Sequence, residues 1–274
     1  MYTTDMKKHT LRLPEGDTFS PSKTFNCGQC FRFNESEEDF RGIVNGALVI
    51  FPKKQPVGKI EYFTSGEALD RFLDAKQCYA DINAALLKSF PEHFELIKSA
   101  VDISAGLRIL KQNFFETLIS FIISQNNNIP RIKKNVEAIS ALLGNEFYVG
   151  DNVYHAFPTP KQILEAGASA LDFCKLGFRT KYILDAAEKV LSGEIDESVT
   201  KEKLMTIHGV GPKVASCVML YGLHDLSDVP VDVWMKKVFL KYFNADFVNL
   251  GEFGGVLQQY LFFRERYIIE GKKI

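Results

Sequence analysis

Cysteine is scarce in this chain, with five residues among 274, at positions 27, 30, 78, 174 and 217. An odd number without paired spacing does not describe a secreted disulfide scaffold and fits a reducing compartment. No C-terminal four-cysteine cluster is present, so an iron–sulfur centre is not expected. Cys27-Gly-Gln-Cys30 has the spacing of half a zinc site, yet no second pair accompanies it; alternation along a strand explains it better, and no metal site is expected. Long apolar runs are also missing. The longest, Phe114 to Ile123, is broken by Glu116 and too short to cross a bilayer, and the opening MYTTDMKKHTLRLPEGD has no apolar segment. A soluble chain without a secretion signal or membrane anchor is the expectation. Neither sign of charge dominates: 33 Lys and Arg stand against 34 Asp and Glu, for a net charge of −1. A protein that coats nucleic acid through global basicity is excluded, and any such site must be local. There is no repeat or low-complexity tract.

What is present is enough for an ordinary core, since 46% of the residues are apolar and the length suits two domains. From Thr18 to Phe63 short apolar runs alternate with turn residues, and Asn45-Gly46 between two β-rich stretches is a strong hairpin signal. The first third therefore reads as an antiparallel sheet with helices appended, at 67–75 and 81–100. Beyond it the pattern becomes helical. Asn113-Phe-Phe-Glu116 opens a helix apolar on nearly every face. Pro130 can open another, with Ile132, Val136, Ile139 and Leu143 at helical spacing until Gly144. Thr159-Pro-Lys-Gln162 opens a third, and Thr180 to Leu191, closed by Gly193, forms a fourth. The expected fold is α+β, with an N-terminal antiparallel sheet domain over 1–106 and an all-helical domain over 107–274.

Residues 201–243 carry most of the chemistry. A helix bearing Leu204 and Ile207 runs into Gly209-Val210-Gly211, and Pro212 opens the next helix. Two glycines around one apolar residue allow a tight hairpin whose backbone N–H groups point outward beside a helix N-terminus, a site suited to a backbone phosphate. Alone, such a turn is more often a plain helix connection. Lys213 alters the balance. It falls in the first turn of its helix, where the dipole disfavours a cation by about 0.3–1 kcal/mol and favours the neutral amine that can act as a nucleophile. Cys217 lies at i+4 and shares its face. Asp232, in Val-Pro-Val-Asp directly before the amphipathic WMKKVFLKYF, is placed to cap that helix, which uses one carboxylate oxygen and leaves the other free.

These features, with Ser-Gln-Asn-Asn-Asn at 124–128 and Gly28-Gln29-Cys-Phe31-Arg32, read as a strand, together resemble the 8-oxoguanine DNA glycosylase/AP lyase family of the helix-hairpin-helix glycosylases. The resemblance spans about Leu11 to Phe263, and the lysine after the hairpin with an aspartate 19 residues later carries most of it. It implies a bifunctional enzyme of base excision repair that flips a damaged nucleotide out of duplex DNA. Lys213 would attack C1′ and form a Schiff base, and Asp232 would stabilise the cationic sugar. The Gly28 carbonyl and Gln258 would grip the base, held between Cys217 and Phe262. Asn126 would fill the space left by the base, Phe178 would wedge the duplex, and Arg131 and Arg179 would donate to the orphaned cytosine. Gly209 and Gly211 would hold phosphate, and Trp234 stands where animal members carry a phosphate-contacting His.

The resemblance further implies that no cofactor is required, although the carbonyls of Met205, Ile207 and Val210 can hold a structural ion. Double-stranded DNA with an oxidised guanine is the expected partner of a monomer, with a cytoplasmic, nucleoid-associated location if the source is prokaryotic. Two other readings stay open at this point: a monofunctional alkylbase glycosylase, and a helix-hairpin-helix module that only binds duplex.

Overall fold

The computed structural model describes residues 6–270. Five antiparallel strands form the N-terminal sheet: β1 (Lys7–Arg12), β2 (Phe33–Glu35), β3 (Asp39–Val44), β4 (Ala47–Pro52) and β5 (Lys59–Thr64), in the order β1-β5-β4-β3-β2. Asn45 and Gly46 join β3 to β4 with Val44 facing Ala47, and both turn residues have positive φ, as the two-residue hairpin turn requires. Along β5 the buried Ile60, Tyr62 and Thr64 alternate with more exposed neighbours, which turns one sheet face inward. That face meets the short helix α1 (Pro21–Asn26), whose Phe25 stacks on Phe33 with ring centroids 4.0 Å apart.

Two helices follow, and here the structure departs from the sequence pattern. Residues 67–75 form turns rather than a helix. The expected helix over 81–100 is two helices, α2 (Tyr79–Ser89) and α3 (Phe94–Ile103), separated at Phe90-Pro91, where the ring of proline removes an amide and restricts the residue before it. Neither packs on the sheet core: Ile82, Leu86, Ile97 and Ala100 are buried in the core of the helical part. Residues 28–32, expected as a strand, follow an irregular course linking α1 to β2.

The helical part is built around α4 (Phe114–Ile123), nine of whose ten residues are buried. Around it lie α5 (Ile129–Leu143), α6 (Pro160–Asp172), α7 (Arg179–Leu191), α8 (Lys201–Leu204), α9 (Pro212–Val218), α10 (Val233–Phe243) and α11 (Gly254–Glu270). The expected start signals hold: Asn113 accepts from the Glu116 N–H at 3.0 Å, and Thr159 with Gln162 forms a full capping box. The helix expected to carry both Leu204 and Ile207 ends at Leu204, because the chain must already turn to reach Gly209. A hairpin of β6 (Glu146–Val149) and β7 (Asn152–His155) is an element absent from the sequence expectation.

Candidate active site

Between α4, α5, α9 and α10 lies a cleft of about 690 Å³, lined among others by Gly28, Phe121, Ser124, Asn126, Lys213, Asp232, Trp234 and Phe262. A tighter annex of about 60 Å³ shares Gly28, Phe121, Lys213, Asp232 and Phe262 and adds Cys217 and Gln258. Segments from both ends of the chain thus converge on one point. The residues expected to do chemistry and those expected to grip a base face the same space.

Lys213 is brought there by the turn before it. Gly209 has φ +79, and a Cβ at that position would collide with the Tyr182 ring, so only glycine lets the hairpin close on α7. Gly211 caps α9 and has open space where a side chain would be. Asp185 braces the hairpin by accepting the His208 N–H at 2.6 Å. Lys189 donates to the Thr206 carbonyl at 2.6 Å, so a side-chain cation already sits against this turn. The Ile207 carbonyl, one of the three that the resemblance assigns to an ion, accepts the Val210 N–H at 2.9 Å.

The half-buried Lys213 amine donates to Ser124 Oγ at 3.0 Å and stands over the Phe121 ring, 5.0 Å from its centroid. Ser124 in turn donates to the Phe121 carbonyl at 2.7 Å. Its proton is therefore committed, and toward Lys213 it acts as an acceptor, which orients an amine N–H and leaves the nitrogen lone pair free to point elsewhere. Sequence pattern did not mark Ser124 individually; its place at the end of a buried helix was the available signal.

Asp232 caps α10 with a single oxygen. Oδ1 accepts the Trp234 and Met235 N–H groups at 2.9 and 2.8 Å, which is the cap expected at this position. Burial pushes the Cys217 thiol up to about 11 despite the opposing charge of Lys213, which makes it a neutral, polarisable wall at physiological pH. Cys27 is likewise raised by burial to about 11 and Cys30 further still, so both are buried thiols in the core. Gln258 is 4% exposed, and its Oε1 has no hydrogen-bond partner. A buried amide oxygen left open in a pocket wall is an acceptor waiting for a ligand.

The outer residues are also placed. Asn126 is exposed at φ +47 at the cleft edge, and Arg131 is exposed in the first turn of α5. Phe178 projects at 48% exposure, backed by the Tyr182 ring at 5.7 Å, and Tyr182 also contacts His208, at 4.8 Å. Trp234 lies at the cleft with Lys237 5.3 Å from its ring. Arg179 differs from expectation. It is 6% exposed, and its guanidinium donates to the Gln125, Asn126 and Leu176 carbonyls. In this structure it shapes the Asn126 loop from behind instead of reaching outward.

Residues 10–118 match the family described as the 8-oxoguanine DNA glycosylase N-terminal domain, and residues 119–248 match the HhH-GPD superfamily of base excision DNA repair proteins. The chain is 39% identical over 153 residues to a Saccharomyces cerevisiae N-glycosylase/DNA lyase, covering 48% of this chain and 41% of that protein. It therefore spans less than half of the yeast relative. It is 30% identical over 270 residues to a probable N-glycosylase/DNA lyase of Methanothermobacter thermautotrophicus, covering 83% of each. Among solved structures, the 8-oxoguanine glycosylase/lyase of Clostridium acetobutylicum, in complex with double-stranded DNA containing cytosine opposite 8-oxoguanine, superposes with a TM-score of 0.84 at 30% identity. That match covers 98% of this chain and all of the other.

Proposed function

The chain belongs to the 8-oxoguanine DNA glycosylase/AP lyase family, and from that premise we propose that it excises 8-oxoguanine from duplex DNA and cuts the strand at the resulting site. The observation that carries this reading is the convergence of Lys213, Asp232 and the unpartnered Gln258 on one annex.

The chemistry follows from those groups. The target nucleotide must leave the stack to reach the annex, and Asn126 and Phe178 occupy the space it vacates and part the neighbouring step. The amides of Gly209 and Gly211 hold the backbone phosphate, while the Val210 N–H closes the turn on the Ile207 carbonyl. The Lys213 nitrogen lone pair attacks C1′ as the bond from C1′ to the base breaks, and the base departs with that bond's electron pair. The free Asp232 oxygen faces the positive charge that develops on the sugar. Loss of the amine protons and opening of the sugar ring give a C1′=N Schiff base. Removal of a C2′ proton then expels the 3′ phosphate by β-elimination, and water releases the lysine.

Discrimination rests on Gly28. Unmodified guanine carries a bare acceptor at N7, whereas oxidation at C8 places a hydrogen there, so a fixed carbonyl attracts the lesion and repels the normal base. A buried polar mismatch of this kind discriminates more strongly than a missing methyl group. Cytosine opposite the lesion is preferred because Arg131 can donate to its neighbouring N3 and O2 acceptors, where adenine presents a donor beside N1. No cofactor enters these steps. No described helix is long and apolar enough to cross a membrane.

Cleavage of an 8-oxoguanine·cytosine duplex by wild type and by Lys213→Gln tests the proposal. The variant should bind duplex and cut neither lesion nor abasic strands. Strand scission retained by Lys213→Gln would remove the lysine from the mechanism, and an intact wild-type product strand would remove the lyase.

A further inference from the structure

The residue that reads the lesion is flanked by two hydrogen-bonded pins. On one side, the Tyr221 hydroxyl donates to Gln259 Oε1 at 2.5 Å, and Gln259 Nε2 donates to the Cys27 carbonyl at 3.2 Å, a bond between residues 232 apart in the chain. Tyr221, Gln259 and Cys27 are 4%, 2% and 1% exposed, so water does not compete. On the other side, the Gln29 amide donates to the Thr24 and Arg108 carbonyls at 3.0 and 2.8 Å and accepts the Leu110 N–H at 2.8 Å.

Between the pins Gly28 sits at φ +88. Glycine visits both signs of φ almost equally, so nothing in its own chemistry fixes this peptide. The fixing must come from its neighbours. Tyr221 also stacks on Phe121, with centroids 5.4 Å apart and planes 16° from parallel, and Phe121 is the ring beneath Lys213. One buried chain of contacts thus runs from under the nucleophile to the peptide before Gly28.

We propose that Tyr221 and Gln259 are positioning residues for lesion discrimination: they pin the Cys27–Gly28 peptide on one side, the Gln29 side chain is anchored on the other, and the Gly28–Gln29 unit held between them presents its carbonyl and not an N–H to the base. This rests on the reading of Gly28 given above. The consequence of a flip is specific. Rotating the unit between Gly28 and Gln29 exchanges an acceptor for a donor, and a donor welcomes the bare N7 of unmodified guanine. The relay therefore protects selectivity, whereas the lyase step, which needs no base in the annex, does not depend on it.

The test uses the full chain carrying Gln259→Leu, which keeps volume and removes both bonds, and Tyr221→Phe, which removes one hydroxyl. Single-turnover excision of 8-oxoguanine is compared with cleavage of a preformed abasic site in the same duplex, and excision of 8-oxoguanine with that of guanine. For Gln259→Leu, excision should fall on the order of tenfold, the effect of one buried hydrogen bond, with abasic cleavage unchanged and the preference over guanine reduced. Tyr221→Phe should do the same to a smaller extent and carries the test if Gln259→Leu does not fold. Equal losses in both activities, or no loss in either, would overturn the proposal. A wild type that cuts abasic sites but leaves 8-oxoguanine intact would instead overturn the reading of Gly28 itself.

Discussion

Replacing Gly28 with alanine adds one methyl group, and the structure fixes what it meets. The new Cβ would lie 3.3 Å from Ile129 Cδ1 and 4.0 Å from Phe262 Cε1. Ile129 Cδ1 is the free end of a side chain and can yield by a few tenths of an ångström, so overpacking is the smaller effect. Backbone strain is larger: φ is +88, where a Cβ costs about 1–2 kcal/mol. The unit can relieve that strain only by rotating, which re-aims the carbonyl. Losing one buried hydrogen bond to the lesion is worth about 1–3 kcal/mol, or roughly 5- to 150-fold in rate. Melting temperature should fall by only a few degrees for a chain of this size. Single-turnover excision of 8-oxoguanine, with abasic-site cleavage as the internal reference, separates these contributions. Excision should fall by that factor and abasic cleavage by much less. Parallel losses of the two activities, or undiminished excision, would rule out discrimination through the Gly28 carbonyl.

Asp232→Asn keeps an oxygen able to accept from Trp234 and Met235, so stability should change by less than about 1 kcal/mol while turnover drops about 10²–10³-fold; unfolding with turnover retained would make Asp232 a cap alone. Arg131→Met should flatten the preference for cytosine, measured as excision opposite each of the four bases, with little loss on the cytosine duplex; an unchanged preference would leave Arg131 a phosphate contact. Glu116, the one half-buried residue of α4, is pushed by desolvation from 4.5 to about 7, with Arg32 opposing the shift and Glu137 adding to it. Because its folded value is raised, the stability it allows is fully present below about pH 4.5 and is lost as pH rises through about 7. Glu116→Gln stays neutral, so its melting temperature should gain on wild type between pH 5 and 8, by on the order of 1 kcal/mol of stability. A gap that does not change with pH would contradict this.

Local signals were legible at several points where one short segment decides the outcome. The turn at Asn45-Gly46, the Thr159 capping box and the cap at Asp232 all follow from residues within four positions of one another. Gln258 and Phe262, about one turn apart on α11, both line the annex. Long-range pairing was not legible. Nothing near Gln259 points to Cys27, and nothing near Arg179 announces that its guanidinium supports the carbonyls of Gln125 and Asn126, more than 50 residues earlier. Helix 81–100 failed for a local reason, since its apolar spacing continues across Pro91 although the backbone cannot. The β6–β7 hairpin turns through Gly150-Asp151 between two β-rich runs, a signal of the same kind as Asn45-Gly46 but amid strongly helical neighbours.

In the proposed reaction the Lys213 nitrogen becomes covalently joined to C1′. Borohydride reduction during reaction with an 8-oxoguanine·cytosine duplex, followed by protease digestion and mass spectrometry of the nucleotide-bearing peptide, measures this directly. One reduced adduct is expected, on Lys213 and absent from Lys213→Gln. An adduct on another amine, or base release with no trapped species, would contradict it.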